Sequence, residues 1–528
     1  MLRRLATAWL LVLACAGGAS AQVLDDALAP AGRLRLDLNP VFTTWEARFG
    51  RTATGETGRE QLGEDLTTDA AHTLYPGAEA LRTAIASMAG LPGYTPVLGE
   101  TVARVNQDIT RVDFGAYLGV FDWLTIGAVL PWTRTRANVD VAFVADTLGG
   151  DLGLSPVYAN GAGVASFLGA LSSAEASALA YAAQTCASMP GSASCASAQD
   201  LADRTAAFRG SAETAYDASA FFPFVGSATA TVLSQATAAL DADLMAAGLP
   251  GIGAPMIFAT ERVNEEDFLR LPTTLASGLA FAEPLGSVRG IWQAGDVEVS
   301  ATIRLLGSGP REPEEPRPSV TFSLLATLLG RLPTGQVDDP DIFYDVGAGD
   351  GQADLEGRLR GAITIGDRIG VLGGARYGIQ LSRTLVRRVA PPEMVLAPVS
   401  TRQLVEWQPG SYWGLELAPG YRFSDELSIA AEYRVFRKYR DEYALTGPSV
   451  GAPVDPTVLQ VESGMTLHEI GGTLRYDTVA RVLGGEGGWP LQLHARFLRA
   501  VAGGGGQTPV TTRAEFGVRF FRRIWGSR

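Results

Sequence analysis

From Val112 to Trp132 the chain alternates, turns, and alternates again. Val112, Phe114, Ala116, Leu118 and Val120 stand between Asp113, Gly115, Tyr117 and Gly119. A tight turn over Phe121-Asp122-Trp123 follows, and Leu124, Ile126, Ala128, Leu130 and Trp132 then resume the rhythm against Thr125, Gly127 and Thr133. Successive side chains on a strand point to opposite faces, so each arm has one apolar face and one mixed face. Similar arms recur to the C-terminus. Long alternating strands with tight turns at one end and long loops at the other are the pattern of a transmembrane β-barrel.

The N-terminus agrees with export. Met1-Leu2-Arg3-Arg4 is basic, Leu5–Ala16 is apolar except for Thr7, and Ala19-Ser20-Ala21 offers small residues before Gln22. That is the layout of a secretory signal over residues 1–21, cleaved near Ala21. The apolar run is too short to span a bilayer as a helix. Lipidation competes, since Val12-Leu13-Ala14-Cys15 is a loose lipobox, although Leu13 suits that motif poorly.

At 528 residues the chain has room for two or three soluble domains or for one large barrel with elaborate loops. A formal net charge of −13 argues against nucleic acid, whose phosphates need a basic face. No apolar segment of about 20 residues follows the signal, so a helical span is not expected. Cys186 and Cys195, set among Ser, Gly and Pro, read as a local disulfide closing a loop in an exported protein. A metal reading of that pair is weak, with no histidine or third cysteine beside it.

Along the chain, Arg33–Thr44 reads as the first strand, and residues 46–100 as a polar, Gly-rich loop with a helix near Ala78–Ala89. Residues 22–144 thus hold the first barrel strands. The insert 145–290 is Ala/Ser-rich and helically spaced, with candidates at Ala162–Gln184, Gln199–Ala218 and Ala228–Ala247. The last of these places Leu233, Ala236, Leu240 and Leu244 on one face. Two roles for the insert stand open: capping or plugging the barrel, or an external elaboration without gating. Residues 291–528 return to alternation, with Arg311–Pro318 as a turn. The expected fold is all-β: an antiparallel transmembrane barrel of about 12 strands (10–14), the helical insert occupying a long external loop.

Three segments resemble the outer-membrane family named for the phenol-degradation meta-pathway, related to long-chain fatty acid (hydrocarbon) transporters. They are Phe121-Asp122-Trp123-Leu124-Thr125-Ile126-Gly127, Gly295-Asp296-Val297-Glu298-Val299, and Leu332-Pro333-Thr334-Gly335 with Gly347–Asp354. In that family they sit at a hairpin, a strand start and a strand exit. The resemblance implies passage of hydrophobic or aromatic compounds. This chain differs in its large insert and in lacking an evident N-terminal plug. Glu515–Phe521 resembles the C-terminal signal read by the barrel-assembly machinery, but the chain runs on through Arg522–Arg528.

If apolar positions face lipid, the alternate ones line the lumen: Asp354, Glu356, Arg358, Arg360, Arg376, Glu416, Arg422, Glu432, Arg434, Lys438, Arg440, Glu469, Arg475, Arg496, Glu515 and Arg519. Enclosed charges of both signs must pair or meet water. They read either as a polar path or as a salt-bridge network filling the barrel. Asp338, Asp339, Asp341, Asp345 and Asp350 make an oxygen-rich loop that is a weak Ca²⁺ candidate, without EF-hand spacing. Only His72, His468 and His494 are available as neutral-pH bases, and no serine stands two residues from His468 or His494. No catalytic site, phosphate-cradling loop or cofactor is expected. The expected role is passive uptake of small, hydrophobic or aromatic molecules across a Gram-negative outer membrane, with membrane lipid and a small permeant as partners. A structural or adhesive barrel is the alternative, and a membrane-embedded hydrolase the third reading.

Overall fold

The computed structural model describes residues 28–51, 57–146, 150–307, 320–366, 368–449, 453–483, 485 and 487–525. The expected signal segment, residues 1–21, and the expected turn Arg311–Pro318 lie outside the described residues. Twelve antiparallel strands form the wall: β1 (Arg33–Trp45), β2 (Gly99–Phe121), β3 (Leu124–Ala145), β4 (Glu298–Leu306), β5 (Val320–Arg331), β6 (Asp354–Ile365), β7 (Ile369–Gln380), β8 (Tyr412–Arg422), β9 (Leu427–Lys438), β10 (Met465–Asp477), β11 (Leu491–Gly504) and β12 (Thr512–Arg523). Each pairs with its neighbour in sequence, and β12 pairs with β1 through Leu36↔Phe520 and Val41↔Glu515, which closes the sheet. Closure removes every free edge, as lipid requires.

The outer face is apolar. Leu36, Leu38, Phe114, Ile126, Leu130, Val299, Leu328, Leu359, Leu415, Ile470 and Val518 all point away from the lumen and are exposed. Aromatic side chains bracket them, with Phe121, Trp123, Phe423 and Trp489 at the turn end and Trp132, Tyr377 and Tyr433 nearer the loops. From Trp123 to Trp132, a rise of ~3.4 Å per residue gives ~30 Å of strand, or a little over ~20 Å of membrane at the usual tilt, close to a barrel's apolar band.

β2 and β3 are about twice as long as the other strands and continue past the loop-side rim. Sequence alternation locates their lower halves only. On the upper arms, the face that lines the lumen below carries Val105, Ala137, Val139, Val141 and Phe143, all buried. Helices cover it: α1 (Ala78–Ala89), α2 (Pro156–Ser188), α3 (Ala193–Ala218) and α4 (Ala228–Ala246). Pro156 opens α2, while the Ser192 and Ser227 side chains accept from Cys195 N and Ala230 N to cap α3 and α4. The Cys186–Cys195 disulfide ties α2 to α3.

The 46–100 region is more than a polar loop. Leu62, Leu66, Tyr75, Leu81 and Ile85 share one core with Phe167, Leu171, Leu233, Leu244 and Phe268 of the insert. The two long loops therefore build a single cap. α2 also corrects an expectation, being long and apolar enough by composition to cross a membrane. Its Phe167, Leu171, Ala174, Ala178 and Ala182 are instead buried in the cap. A small rim sheet (Arg383–Arg388, Arg402–Gln408, Glu442–Leu445) stands above β7–β9.

Candidate functional site

At the turn end the lumen is filled. Arg35 pairs with Asp37 at 3.0 Å, and Arg519 reaches the same carboxylate at 3.3 Å. The Arg35 guanidinium lies 4.0 Å from the Tyr117 ring, which occupies the space that a side chain at Gly127 would need. The stretch before β1 is short but lies inside the wall, unlike the plug-free approach expected from sequence. Ala29 N donates to Thr125 Oγ1 at 2.9 Å, and the Ala29 and Pro30 carbonyls occupy the place of a Cβ on Gly119. Only glycine fits there.

Across the middle runs a belt of paired charges. Arg331 binds Asp354 and lies 3.2 Å from Glu298. Glu356 accepts from Arg358 and, at 2.6 Å, from Tyr412 Oη. Arg360 stands 3.5 Å from Glu416, whose other oxygen is 3.6 Å from Arg434. Arg434 meets Glu432 at 3.2 Å, Glu432 meets Arg496 at 3.0 Å, and Arg496 meets Glu515 at 3.3 Å. His494 Nε2 is 3.3 Å from Glu515, and Arg513 is 3.2 Å from Glu469. Arg475 binds Asp477 at 2.8 Å, and Arg519 donates to Gln492 at 3.0 Å. Arg422 is half-buried at the turn end of β8. Lys438 pairs with Asp441 at 2.6 Å, while Arg440 lies exposed beyond β9.

Period two places these groups on one face; strand register then decides who meets whom. Arg496 faces Glu515 because β11 and β12 pair at those positions. Arg111, Asp113, Arg331 and Arg513 belong to the same belt, and Arg35 and Asp37 to the turn-end cluster; all six were missed as candidates. Their alternation with Leu34, Leu36, Val112, Phe114 and Gly330 was the available signal.

Two cavities lie within the wall. The larger, toward the loops, has a volume of about 460 Å³ and is bordered by Arg358, Arg360, Arg376, Arg434 and Arg513, by Glu416 and Glu469, and by Phe436, Met465 and Leu467. The smaller, about 170 Å³, lies below it among Glu432, Arg475, His494, Arg496, Glu515 and Arg519. Arg360 and Glu416 border both, so this pair stands in the partition.

The mouth is bridged. Asp296, in the strand-start segment, accepts from Gly335 N at 2.8 Å and Asp350 N at 3.0 Å, and Thr334 Oγ1 accepts from Val297 N at 2.9 Å. Two of the three family-like segments are thus tied to each other, and their Gly335 and Gly349 leave room for the Asp296 carboxylate. The loop that follows runs up against the cap, with Tyr344 Oη donating to Leu62 O and Thr135 Oγ1 to Val346 O. From the opposite rim, buried Arg388 donates to Asp341 Oδ1 (2.8 Å), Leu279 O (2.6 Å) and Ala397 O (2.8 Å), with its guanidinium 4.3 Å from the Phe281 ring. The cap therefore reaches from β2–β3 to the β7–β8 side.

The aspartate-rich loop is spent on these ties and not gathered round a cation. Arg387 forks onto Asp338 at 2.7 and 2.9 Å, Arg388 and Arg402 take Asp341, Asp345 accepts from Asp339 N, and Asp350 is tied through its backbone N–H to Asp296. Among the described residues no group of three or more His, Cys, Asp or Glu is placed to hold a metal ion. His468 meets Tyr433 Oη at 2.8 Å on the outer face, and His72 is buried in the cap.

No protein-family model matches this chain, nor does any curated protein sequence. Among solved structures, it is similar to an outer membrane channel from Pseudomonas putida F1 (8% identity, TM-score 0.40, covering 94% of this chain and 100% of that one). It is also similar to the translocator domain of the autotransporter NalP from Neisseria meningitidis (8% identity, TM-score 0.28, 94% and 90%). A third likeness is to the toluene transporter TbuX of Ralstonia pickettii (10% identity, TM-score 0.22, 94% and 90%).

Proposed function

We propose that this chain is a bacterial outer-membrane barrel that lets small molecules cross passively. The loop-side chamber is the receiving site, the charged belt the selectivity barrier and the cap the restriction on access. One observation carries this reading: two cavities inside the wall meet at a partition that contains the Arg360–Glu416 pair. The pair is 3.5 Å apart with no hydrogen bond between the two side chains. A barrier of side chains can rearrange on the ps–ns to μs scale without disturbing the wall. Chamber size limits traffic to small solutes, and Phe436, Met465 and Leu467 beside the arginines suit molecules with an apolar or aromatic body.

The structural or adhesive alternative has its own support. The turn-end half of the lumen is packed with paired charges, and the cap has a hydrophobic core of its own. Planar-bilayer conductance separates the two. The refolded chain is compared with a variant whose residues 46–106 and 137–288 are replaced by short turns, junctions that β1–β2 and the Arg136↔Arg289 pairing already bring together. Small currents from the full chain and larger ones from the variant support passage. Silence in both, with both barrels folded, overturns it.

A further inference from the structure

Five arginines and two carboxylates border the loop-side chamber; Glu356 takes Arg358 and Glu432 takes Arg434 from behind the lining, which leaves arginine in excess by one. Arg376 carries the imbalance furthest. Its side chain is 44% exposed, it makes no hydrogen bond among the described residues, and the closest carboxylate oxygen, on Glu356, is 4.0 Å away. Its guanidinium lies 5.0 Å from the Phe436 ring centroid and 5.9 Å from that of Tyr412. Contact with rings uses the faces of the guanidinium and leaves its in-plane N–H fork for a planar acceptor. Arg360 likewise makes no hydrogen bond among the described residues. Arg513 forks onto Glu469 through Nη2, yet its Nε is buried without an acceptor.

A neutral apolar solute would leave these donors unanswered, and a cation would be repelled. We infer that the chamber is a binding site for a small aromatic carboxylate, held by Arg376 and Arg360 with its ring against Phe436. A cavity of about 460 Å³ lies in the usual range for small-molecule sites. This names the ligand class of the chamber treated above as the receiving site. Its biological purpose rests on that reading; binding itself needs only the folded barrel.

The test is calorimetric titration of the refolded full chain with benzoate, benzyl alcohol and benzylamine at low ionic strength. Benzoate should bind one site at least ~10-fold tighter than the alcohol, with benzylamine weaker still. Arg376→Gln should weaken benzoate ~10-fold and leave the alcohol unchanged. Glu416→Gln, which removes a negative charge from the wall, should tighten benzoate. Two substitutions with opposite effects cannot both follow from misfolding. Benzoate binding no tighter than the alcohol, or indifferent to Arg376→Gln, overturns the inference. Benzoate binding by a barrel that stays silent in bilayers would sink passage and leave the site standing.

Discussion

Arg388 is the clearest place to ask whether the cap is held down. It lies on the rim sheet, and its side chain is 6% exposed. One guanidinium joins three pieces of chain: Asp341 of the loop over the mouth, the Leu279 carbonyl of the cap, and the Ala397 carbonyl of the rim. Arg388→Ala removes all of these at once. Breaking one side of a buried pair costs ~3–5 kcal/mol, because the partner is left charged and dry. Asp341 keeps Arg402 at 3.4 Å, and that half-exposed contact returns up to ~1 kcal/mol. The net is ~3 kcal/mol, which raises the local opening equilibrium roughly 100-fold at ~1.4 kcal/mol per decade. Hydrogen exchange over residues 275–285 and 383–401 reads this directly, with the β6–β7 amides as the internal reference. Faster exchange confined to those segments, and larger bilayer currents, are expected. Arg388→Lys should fall between, since an ammonium cannot span the same three acceptors. Unchanged exchange in a folded Arg388→Ala protein, or loss spread evenly through the barrel, would refute the pin.

Three further outcomes follow from the same geometry. Leu359→Arg, on the lipid face mid-strand, should cost ~2–4 kcal/mol in unfolding from vesicles, and an effect near zero would mean that the faces are wrongly assigned. Deleting residues 150–285 alone uncovers Leu81, Ile85, Met88, Val139 and Phe143, so refolding yield should fall sharply and recover when residues 46–106 are also replaced; equal yields would show the cap to be two independent bodies. Burial holds the His72 imidazole below its ordinary pKa, so the folded cap keeps it neutral while the unfolded chain takes up a proton below about pH 6.5. Cap stability should therefore fall as pH drops through that value, so protease nicking should rise between pH 7.5 and 5.5, and His72→Phe should flatten that rise.

Much of this molecule is local, and local features survive in a bare sequence. Alternation through Leu36, Phe114, Ile126, Leu359 and Ile470 determines which face meets lipid, because the period of a strand is set by its own backbone. The twelve strands, the four long helices and the Cys186–Cys195 closure were legible for the same reason: each rests on residues close together in the chain. The upper arms of β2 and β3 were hidden because Asn106, Gln107 and Asp108 interrupt the rhythm, and Val105 and Val139 have apolar partners only once the cap arrives. That the cap is one body was equally out of reach, since Tyr75 meets Phe268 across nearly two hundred residues. Alternation put arginines and carboxylates on the lumenal face, but pairing depends on the register between strands, which spends Arg496 on Glu515 and leaves Arg376 facing open space. Periodicity belongs to single strands and is written in sequence. Charge balance within a cavity belongs to the closed barrel, and only the tertiary structure decides it.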